Sequence, residues 1–277
     1  MRKERLDKLL VTRELAATRE KAQALIMAGK VRVNDATVAK AGSRVPLDAR
    51  LSVEAPEYPY VSRGGVKLEA ALRAFGLDPS GLVALDIGAA TGGFTHCLLL
   101  HGAARVFAVD VGYGQLAWEL RNDPRVVVRE RTNIRHLPGD ALGQAVDLAV
   151  VDVSFISLNT VLRHARRFLK PGGQILALVK PQFEAGRGQV RRGGRVTDPA
   201  VHDEVQERVE QTARGLGLRL LGRMASPIEG KKSGNREFLM LWQADPALTP
   251  TVPLEPDAAP HEGGESPPGD PHPHEAS

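Results

Sequence analysis

Short apolar runs alternate with amphipathic segments along most of the chain, and this pattern predicts strands and helices in turn. Apolar runs of strand length occur at residues 82–85, 105–110, 126–128, 146–152 and 175–180. Between most of these runs, apolar residues recur every three or four positions, as on one face of a helix. Strands that alternate with helices are typical of an α/β domain whose sheet is mostly parallel.

Two helices of this domain have clear limits in the pattern. One is predicted from Phe94 to Leu100, directly after a glycine-rich turn. Another carries Leu162, Ala165 and Leu169 on one face, and Pro171-Gly172-Gly173 is expected to stop it, because proline and glycine are poor helix residues.

The first 55 residues show a different, smaller pattern. Leucines at helical spacing in residues 6–10 predict one helix, and a second helix is expected to begin at Thr18 and end at Gly29. Short strands are predicted at residues 31–35 and 51–53. This pattern favours a separate α+β module.

Composition changes mark the other boundaries. Residues 56–61 contain two prolines and predict a stiff linker between the module and an α/β domain at residues 62–244. Residues 245–277 are rich in Pro, Gly, Glu and His, and we expect this tail to be disordered.

Charge is distributed unevenly along the chain. Residues 245–277 carry seven acidic residues and no lysine or arginine, so the rest of the chain, with 37 basic and 26 acidic residues, has a net charge of +11. A body this basic indicates a polyanionic partner.

Several classes of protein are disfavoured by composition. The single cysteine, Cys97, excludes an internal disulfide and any metal site built on several thiolates, and we expect it to be a small buried residue. No metal site is predicted. The charged start of the chain and the absence of a long apolar run predict neither a signal peptide nor a membrane span, so a cytoplasmic location is expected.

The glycine-rich turn after the first predicted strand of the α/β domain is a candidate ligand site. Asp86 precedes Gly88, Gly92 and Gly93, and this spacing matches neither the dinucleotide fingerprint nor a P-loop. The next strand ends in Asp110, the position suited to hydrogen bonds with ribose hydroxyls. An ordinary tight turn without a ligand is the alternative.

This arrangement resembles the S-adenosylmethionine (SAM) site of class I methyltransferases, a Rossmann-like fold with a mostly parallel seven-stranded sheet. The resemblance implies SAM as the cofactor. Expected cofactor-binding residues are Asp86, Gly88, Gly92, Gly93, Phe94, Asp110, Asn133, Asp152 and Phe155.

The N-terminal module carries a long motif, Arg-Leu-Asp-Lys-Leu-Leu followed by Thr-Arg-Glu-Lys-Ala-Gln-Ala-Leu-Ile and Gly-Lys-Val-Arg-Val-Asn. This motif resembles the S4 RNA-binding domain, which implies recognition of the phosphates and shape of a folded RNA. A helical cap on the enzyme domain is the alternative. Expected RNA contacts, including those of a basic loop later in the chain, are Arg2, Lys3, Arg5, Arg19, Lys30, Arg32, Lys40, Arg187, Arg191 and Arg192.

Four charged residues fall near the predicted cofactor turn: Lys67, Asp152, Lys180 and Glu237. In this order they resemble the catalytic set of FtsJ-like ribose 2′-O-methyltransferases. With the S4 motif and the segments Ser-Arg-Gly-Gly-Val-Lys-Leu and Val-Lys-Pro-Gln-Phe-Glu, the chain resembles the TlyA (haemolysin A) family up to about residue 243. The resemblance implies methylation of the ribose 2′-hydroxyl of cytidine in 16S or 23S ribosomal RNA, or both. We also expect the protein to be a monomer.

The chemistry leaves two roles open for Lys180. A ribose hydroxyl is a weak nucleophile and must lose its proton, so Lys180 acts as a base if neighbouring cations favour its neutral form. If it stays protonated, it stabilises the developing alkoxide instead. The carboxylates Asp152 and Glu237 then serve orientation.

Other functions fit the sequence less well. Asp152-Val153-Ser154-Phe155 stands where amine methyltransferases carry a proline-rich loop, and Cys97 lies too early for a C5-pyrimidine nucleophile. A membrane-active cytolysin and a non-catalytic ribosome-binding factor remain as alternatives from other functional classes.

Overall fold

A computed structural model describes residues 2–16, 18–54, 58–230 and 234–252 of the chain. The chain divides into two units, Met1–Pro59 and Tyr60–Ser277, each with its own hydrophobic core. Part of the predicted linker, residues 56 and 57, and most of the tail expected to be disordered, residues 253–277, lie outside the described residues.

The described part of the N-terminal unit forms two helices and five short strands. They are β1 (Lys3–Arg5), α1 (Leu6–Thr12), α2 (Arg19–Met27), β2 (Val31–Val33), β3 (Ala36–Thr37), β4 (Arg44–Pro46) and β5 (Leu51–Val53). Strand β1 pairs with β4, and β2 lies between β3 and β5, all antiparallel. Leu6, Leu10 and Ile26 are fully buried in the core between these elements.

The limits of α2 follow from its sequence. The Thr18 hydroxyl accepts a hydrogen bond from the Lys21 amide at 3.2 Å, which caps the first turn of the helix. At the other end, Gly29 has φ +69°, a left-handed conformation that glycine adopts without strain. The predicted start and stop signals of this helix are confirmed.

The second unit alternates helices and strands along a seven-stranded sheet. Its elements are α3 (Gly64–Phe75), β6 (Val83–Ile87), α4 (Gly93–Leu100), β7 (Arg105–Val109), α5 (Trp118–Arg121), β8 (Val126–Arg129), β9 (Val146–Val151), α6 (Leu158–Arg166), β10 (Leu169–Val179), α7 (Pro181–Glu184), α8 (Pro199–Gly215), β11 (Leu218–Ala225) and β12 (Phe238–Ala244). The strand order is β11-β12-β10-β9-β6-β7-β8. Only β12 runs against the other six strands of this sheet, as its pairing with β10 and β11 shows. The predicted α/β class with a mostly parallel sheet is confirmed.

The order of the strands places a ligand site at one edge of this sheet. The chain proceeds from β6 outward to β8 and then returns to the other side of β6 at β9. In open α/β sheets, ligands bind beyond the carboxyl ends of the strands at such a reversal. Because β12 is antiparallel, its amino end, at Phe238, lies at this same edge.

One predicted helix limit was wrong. Helix α6 ends at Arg166, and Leu169 belongs to β10, where it pairs with Val146 of β9. Strand β10 then changes register between Leu169 and Gln174. Pro171 has no amide hydrogen to donate to a neighbouring strand, so the pairing is interrupted around it and resumes beyond the glycines.

The end of the described chain remains attached to the second unit. The Asp245 and Thr251 amides donate to the carbonyl oxygens of Gly217 and Gly215, respectively. Across the described ranges, no helix has the length and apolar character required to cross a membrane.

Candidate active site

The turn between β6 and α4 brings the backbone closer to its neighbours than a side chain would allow. Gly88 and Gly92 have φ values of +87° and +97°. A Cβ on Gly88 would lie 2.5 Å from the carbonyl oxygen of Asp152, and one on Gly92 would lie 2.3 Å from Leu120. Gly93 begins α4, and the ring of Phe94 is buried, only 3% exposed. Glycine is therefore required at both left-handed positions.

Asp86, at the end of β6, is a fully buried carboxyl group. Its Oδ2 accepts a hydrogen bond from the Thr95 hydroxyl at 2.6 Å. Within the described residues, no donor reaches Oδ1. Burial, and then the nearby Asp152 and Asp110 carboxylates, raises the pKa of Asp86 to about 7. An unpaired buried oxygen at the carboxyl end of a strand can accept a donor from a ligand.

Asp110 follows β7 and holds two loops in place. Its Oδ2 accepts from the Ala90 amide at 2.9 Å, and its Oδ1 accepts from the Gly112 amide at 2.7 Å. Each carboxylate oxygen can accept a second hydrogen bond, so ribose hydroxyls still find acceptors here. Asn133, farther along this edge, caps a short 3₁₀ helix by accepting from the Arg135 amide.

Lys180 and Asp152 form an ion pair at the carboxyl ends of β10 and β9. The Lys180 Nζ lies 2.6 Å from Asp152 Oδ1, and it donates to the Ser154 hydroxyl at 2.9 Å. The side chain of Lys180 is only 11% exposed. An ammonium held by two oxygens has one position and one N–H left for a substrate.

Lys67 and Glu237 form a second and more buried ion pair. The Lys67 Nζ donates to Glu237 Oε2 at 2.5 Å, and the two side chains are 10% and 4% exposed. Lys67 comes from α3 and Glu237 from the residue before β12. Each lysine of the predicted catalytic set therefore has its own carboxylate partner.

Strand register aligns the two pairs along the edge. Ile87 pairs with Val151, so Gly88 and Asp152 follow at equivalent positions of neighbouring strands. Val179 pairs with Phe238, which places Lys180 next to Glu237 by the same logic. The glycine turn and the charged set thus lie at adjacent positions along this edge.

Phe155 and Phe183 lie beside this row. Phe155 is 91% exposed and has φ +65°, an uncommon conformation for an aromatic residue. Its ring centroid is 5.0 Å from that of Phe183, in the turn that follows Lys180. Most of the Phe155 side chain is therefore exposed to solvent at the carboxyl edge of the sheet.

Two polar residues of this site were not predicted. Ser154 shares the Lys180 ammonium with Asp152, as described above. Glu184 accepts from the Ser157 hydroxyl at 2.8 Å and from the Leu158 amide at 2.7 Å, and its burial raises its pKa. It thereby fastens the turn after β10 to the loop after β9, a contact between residues 26 positions apart that leaves no local signal in the sequence.

In the N-terminal unit, two expected RNA contacts are engaged with a buried carboxylate. Asp7 is fully buried, and its Oδ2 accepts from Arg5 at 2.9 Å, from Arg19 at 3.0 Å and from Gln23 at 2.8 Å. The hydrogen bond from Arg5 is the largest cause that holds the pKa of Asp7 well below its usual range. The side chains of Arg5 and Arg19 are still 39% and 45% exposed.

The other expected RNA contacts whose side chains are described lie at the surface. Lys30 and Arg32 approach Glu54 at 2.9 and 3.5 Å in exposed ion pairs. Five of the expected contacts are exposed and form no ion pair with another described residue: Arg2, Lys3, Lys40, Arg191 and Arg192. The side chain of Arg187 lies outside the described part of the chain, while Cys97 is buried as predicted.

Within the described residues, no group of three or more His, Cys, Asp or Glu side chains is arranged to hold a metal ion.

Comparison with known proteins gives matches over both units. An FtsJ-like methyltransferase family model matches residues 60–244, and an S4 domain model matches residues 4–51. A Bacillus subtilis protein, YqxC, is 50% identical over 240 residues, which cover 86% of this chain and 85% of YqxC. The 16S/23S rRNA (cytidine-2′-O)-methyltransferase TlyA of Mycobacterium tuberculosis is 49% identical over 252 residues, which cover 90% of this chain and 93% of TlyA. A solved structure of a Streptococcus thermophilus protein named as a hemolysin is 43% identical, with a TM-score of 0.68 and coverage of 89% of this chain and 90% of that one.

Proposed function

The chain belongs to the FtsJ-like methyltransferase family and is a SAM-dependent methyltransferase with an S4 domain, and we propose that it methylates the 2′-hydroxyl of a cytidine in ribosomal RNA. The proposal rests on relatives with that activity in their name, which align over nine-tenths of the chain. Ribosomal RNA as the substrate also favours the cytoplasm as the location.

The observation that carries the proposal is the row of residues along the carboxyl edge of the sheet. The glycine turn, the Asp152–Lys180 pair and the Lys67–Glu237 pair follow one another on adjacent strands. A methyl donor held at the first of these would lie at the same edge of the sheet as Lys180 and Lys67. This arrangement suits transfer to an oxygen that develops negative charge.

The residues of the turn fit the methyl donor. The buried Oδ1 of Asp86 lacks a donor among the described residues, and the ammonium group of the methionine part would supply one. Asp110 would hold the ribose hydroxyls, and the glycines admit the ligand close to the backbone. When bound, SAM supplies a methyl group on a positively charged sulfur, which makes that methyl electrophilic.

Of the two roles left open for Lys180, the geometry favours charge stabilisation. The Lys180 Nζ lies 2.6 Å from Asp152 Oδ1 and donates to the Ser154 hydroxyl at 2.9 Å, so this group acts as a donor toward both neighbours and can donate to the reacting oxygen in the same way. The 2′-oxygen gains negative charge as it loses its proton, and formation of the new C–O bond then removes that charge. The ammonium offsets that charge, and Asp152 is the nearest acceptor for a proton that passes through the lysine.

The second pair serves a different purpose in this proposal. Lys67 and Glu237 are more buried than Lys180 and Asp152, and their hydrogen bond joins α3 to the start of β12. A buried pair has one well-defined geometry, because breaking it would leave a charge without a partner. Glu237 therefore orients Lys67 toward the reacting ribose.

The N-terminal unit and the exposed arginines of the loop around residues 191–195 supply contacts to RNA phosphates in this proposal. Phosphate contacts position a nucleic acid without reading its sequence. The choice of nucleotide would therefore depend on the shape of the RNA that reaches the active site. All of the proposed residues come from one chain, so a monomer suffices.

The test is transfer of labelled methyl from SAM to ribosomal RNA by the full-length protein. The RNA is taken from cells that lack the gene, as separate small and large subunits and as naked 16S and 23S RNA. We expect the label in 2′-O-methylcytidine after digestion. Label on a base, or none in any RNA although SAM binds in calorimetry, would contradict the proposal.

The name hemolysin among similar proteins keeps a membrane-active function as a second hypothesis. A membrane-active function predicts that the protein releases dye from lipid vesicles at the concentrations at which methyl transfer is measured. Leakage that persists in a Lys180→Ala variant without methyl transfer would assign a second activity to the chain.

A further inference from the structure

A cavity of about 280 Å³ lies on the face of the sheet that is covered by α8. It is formed by the first turns of α8, the end of β11 and the start of β12, and its walls include His202, Asp203, Arg223, Met224, Arg236 and Phe238. None of the residues assigned above to SAM or to methyl transfer lines it. Its volume lies just below the roughly 300–1,000 Å³ that is typical of sites for small ligands, so it admits only part of a small ligand or a single compact unit.

The cavity is adjacent to the active site along the chain. Glu237, which pairs with Lys67, lies between Arg236 and Phe238 in the sequence. Side chains of successive residues in extended chain point to opposite faces of a sheet. The Phe238 ring accordingly meets His202 of α8, with 5.4 Å between the ring centroids. An RNA strand with its reacting ribose near Glu237 would therefore reach the cavity by passing around the start of β12.

The side chains around the cavity match the parts of a ribonucleotide. Arg223 and Arg236 are exposed, and neither is in an ion pair with another described residue. A guanidinium group binds phosphate oxygens through two parallel hydrogen bonds. Met224 and Phe238 provide an apolar surface for a base or sugar, and the Arg236 guanidinium lies 5.7 Å from the centre of the Phe238 ring.

Asp203 is the one acidic residue of the lining. A carboxylate beside two guanidiniums weakens the attraction for a bare phosphate, but it accepts hydrogen bonds from sugar hydroxyls. The 2′-hydroxyl is the group by which proteins distinguish RNA from DNA. The combination of two arginines and one aspartate therefore favours a ribonucleotide over inorganic phosphate.

Buried hydrogen bonds connect the wall of the cavity to the basic loop. His202 is 7% exposed, and its Nε2 lies 3.0 Å from the Val196 carbonyl oxygen. The Val196 amide donates to Asn235 Oδ1 at 2.9 Å, and Asn235 Nδ2 donates to the Gly194 carbonyl at 2.8 Å. The wall is thus fixed to the loop that carries Arg191 and Arg192.

We infer that this cavity is a subsite for a nucleotide of the RNA strand close to the methylated one. Arg223 and Arg236 hold its phosphodiester group, and Asp203 accepts a hydrogen bond from its 2′-hydroxyl. The inference rests on the proposed RNA substrate and adds a contact region on the face of the sheet opposite Lys67.

The test compares Arg223→Gln and Arg236→Gln with Arg105→Gln in the full-length protein. Arg105 is an exposed arginine at the start of β7, at the opposite edge of the sheet, so its removal changes the charge equally. We expect each cavity variant to bind ribosomal RNA about tenfold more weakly. The slope of log affinity against log salt should fall by about one per lost phosphate contact. SAM affinity, measured by calorimetry, should match wild type and thereby report an intact fold.

RNA binding and methyl transfer separate this inference from the proposed function. Should wild type methylate RNA while both cavity variants bind RNA like Arg105→Gln, the subsite is disproved and the function stands. Should wild type bind RNA without methylating it, the function fails, while weaker binding confined to the two cavity variants still supports the subsite.

Asp203→Asn tests the nature of the ligand. In this variant we expect the preference for RNA over DNA of the same sequence to fall several-fold, because the acceptor for the 2′-hydroxyl is weakened. A preference equal to that of wild type would overturn the assignment of a ribonucleotide to the cavity.

Discussion

Among the residues that the structure describes, each unit buries one aspartate completely, and the surroundings of the two carboxylates are opposite in character. In the N-terminal unit, Asp7 accepts from Arg5, Arg19 and Gln23, and its pKa is held well below the usual range. In the second unit, Asp86 accepts from one side chain, the Thr95 hydroxyl, and burial raises its pKa to about 7.

The two carboxylates differ in how many hydrogen bonds they already accept from the protein. A buried carboxylate with several donors is a structural group, because removal of a donor leaves charge without compensation. A buried carboxylate with an unpaired oxygen is destabilising in the free protein and gains most from a ligand that brings a donor. Asp7 therefore stabilises the fold around it, whereas Asp86 retains capacity for a cofactor.

The largest expected effect on activity is that of replacing Lys180, in the same unit as Asp86. Lys180→Ala should lower kcat for methyl transfer roughly 10²–10³-fold, because an ammonium at the reacting oxygen acts in the transition state. SAM and RNA affinities should stay near wild type. Lys180→Arg should be nearly as inactive, since its bulkier fork does not fit between Asp152 and Ser154. Single-turnover transfer of labelled methyl measures the rate.

Lys170→Ala is the matched control for that variant, since Lys170 forms an exposed ion pair with Asp147 at the other end of β10. Its rate should equal that of wild type. A Lys180→Ala rate within tenfold of wild type would place the group that handles the charge elsewhere.

The second prediction tests whether Asp7 stabilises the N-terminal unit. Replacing both Arg5 and Arg19 by glutamine leaves the buried Asp7 carboxylate with Gln23 as its remaining side-chain partner. Amide hydrogens in residues 2–54 should lose protection roughly 10²–10³-fold, because an unpaired buried charge is strongly destabilising. Exchange monitored by mass spectrometry resolves this unit from the other.

Arg2→Gln with Lys3→Gln removes the same charge from exposed positions in the same unit, and its exchange should match wild type. If the two double variants exchange alike and lose RNA affinity alike, Arg5 and Arg19 are phosphate contacts rather than partners of Asp7.

The sequence predicted the surroundings of Asp86 in the candidate active site better than those of Asp7 in the N-terminal unit. The glycine turn and the strand-end acids Asp86 and Asp110 are local patterns, and their spacing indicated a SAM-type site. Lys67 and Glu237 were selected by family resemblance, but their pairing across 170 positions is visible only in the fold.

The role of Asp7 was not predicted because its neighbours suggested another. Arg5 and Arg19 belong to a cluster of cations, and a cluster of cations favours RNA contacts whichever residue each one faces. The available signal was Asp7 itself, an acid beside Leu6 and three positions before the buried Leu10 on the apolar face of α1. Likewise, the limit of α6 was wrong because the periodicity that includes Leu169 does not reveal a strand pairing with Val146.

The smallest expected effect concerns the pH dependence of stability and distinguishes the two aspartates by sign. The pKa of Asp86 is about 7 in the folded protein against an ordinary 3.8, so the unfolded chain ionises first as pH rises. Stability from this group is complete below pH 4 and is lost as pH rises toward 7, roughly 3 kcal/mol between pH 4 and 6.5. The side chain in Asp86→Asn cannot ionise. The free energy of unfolding of this variant should therefore rise relative to that of wild type between about pH 4 and 6.5, while its SAM affinity falls.

For Asp7, whose folded pKa is lowered, stability is present above the ordinary pKa and is lost as pH falls below it. Asp7→Asn should therefore differ from wild type least in acid. Denaturant unfolding from pH 3 to 8 measures both differences, and parallel curves for wild type and Asp86→Asn would show that Asp86 is already ionised in the free protein.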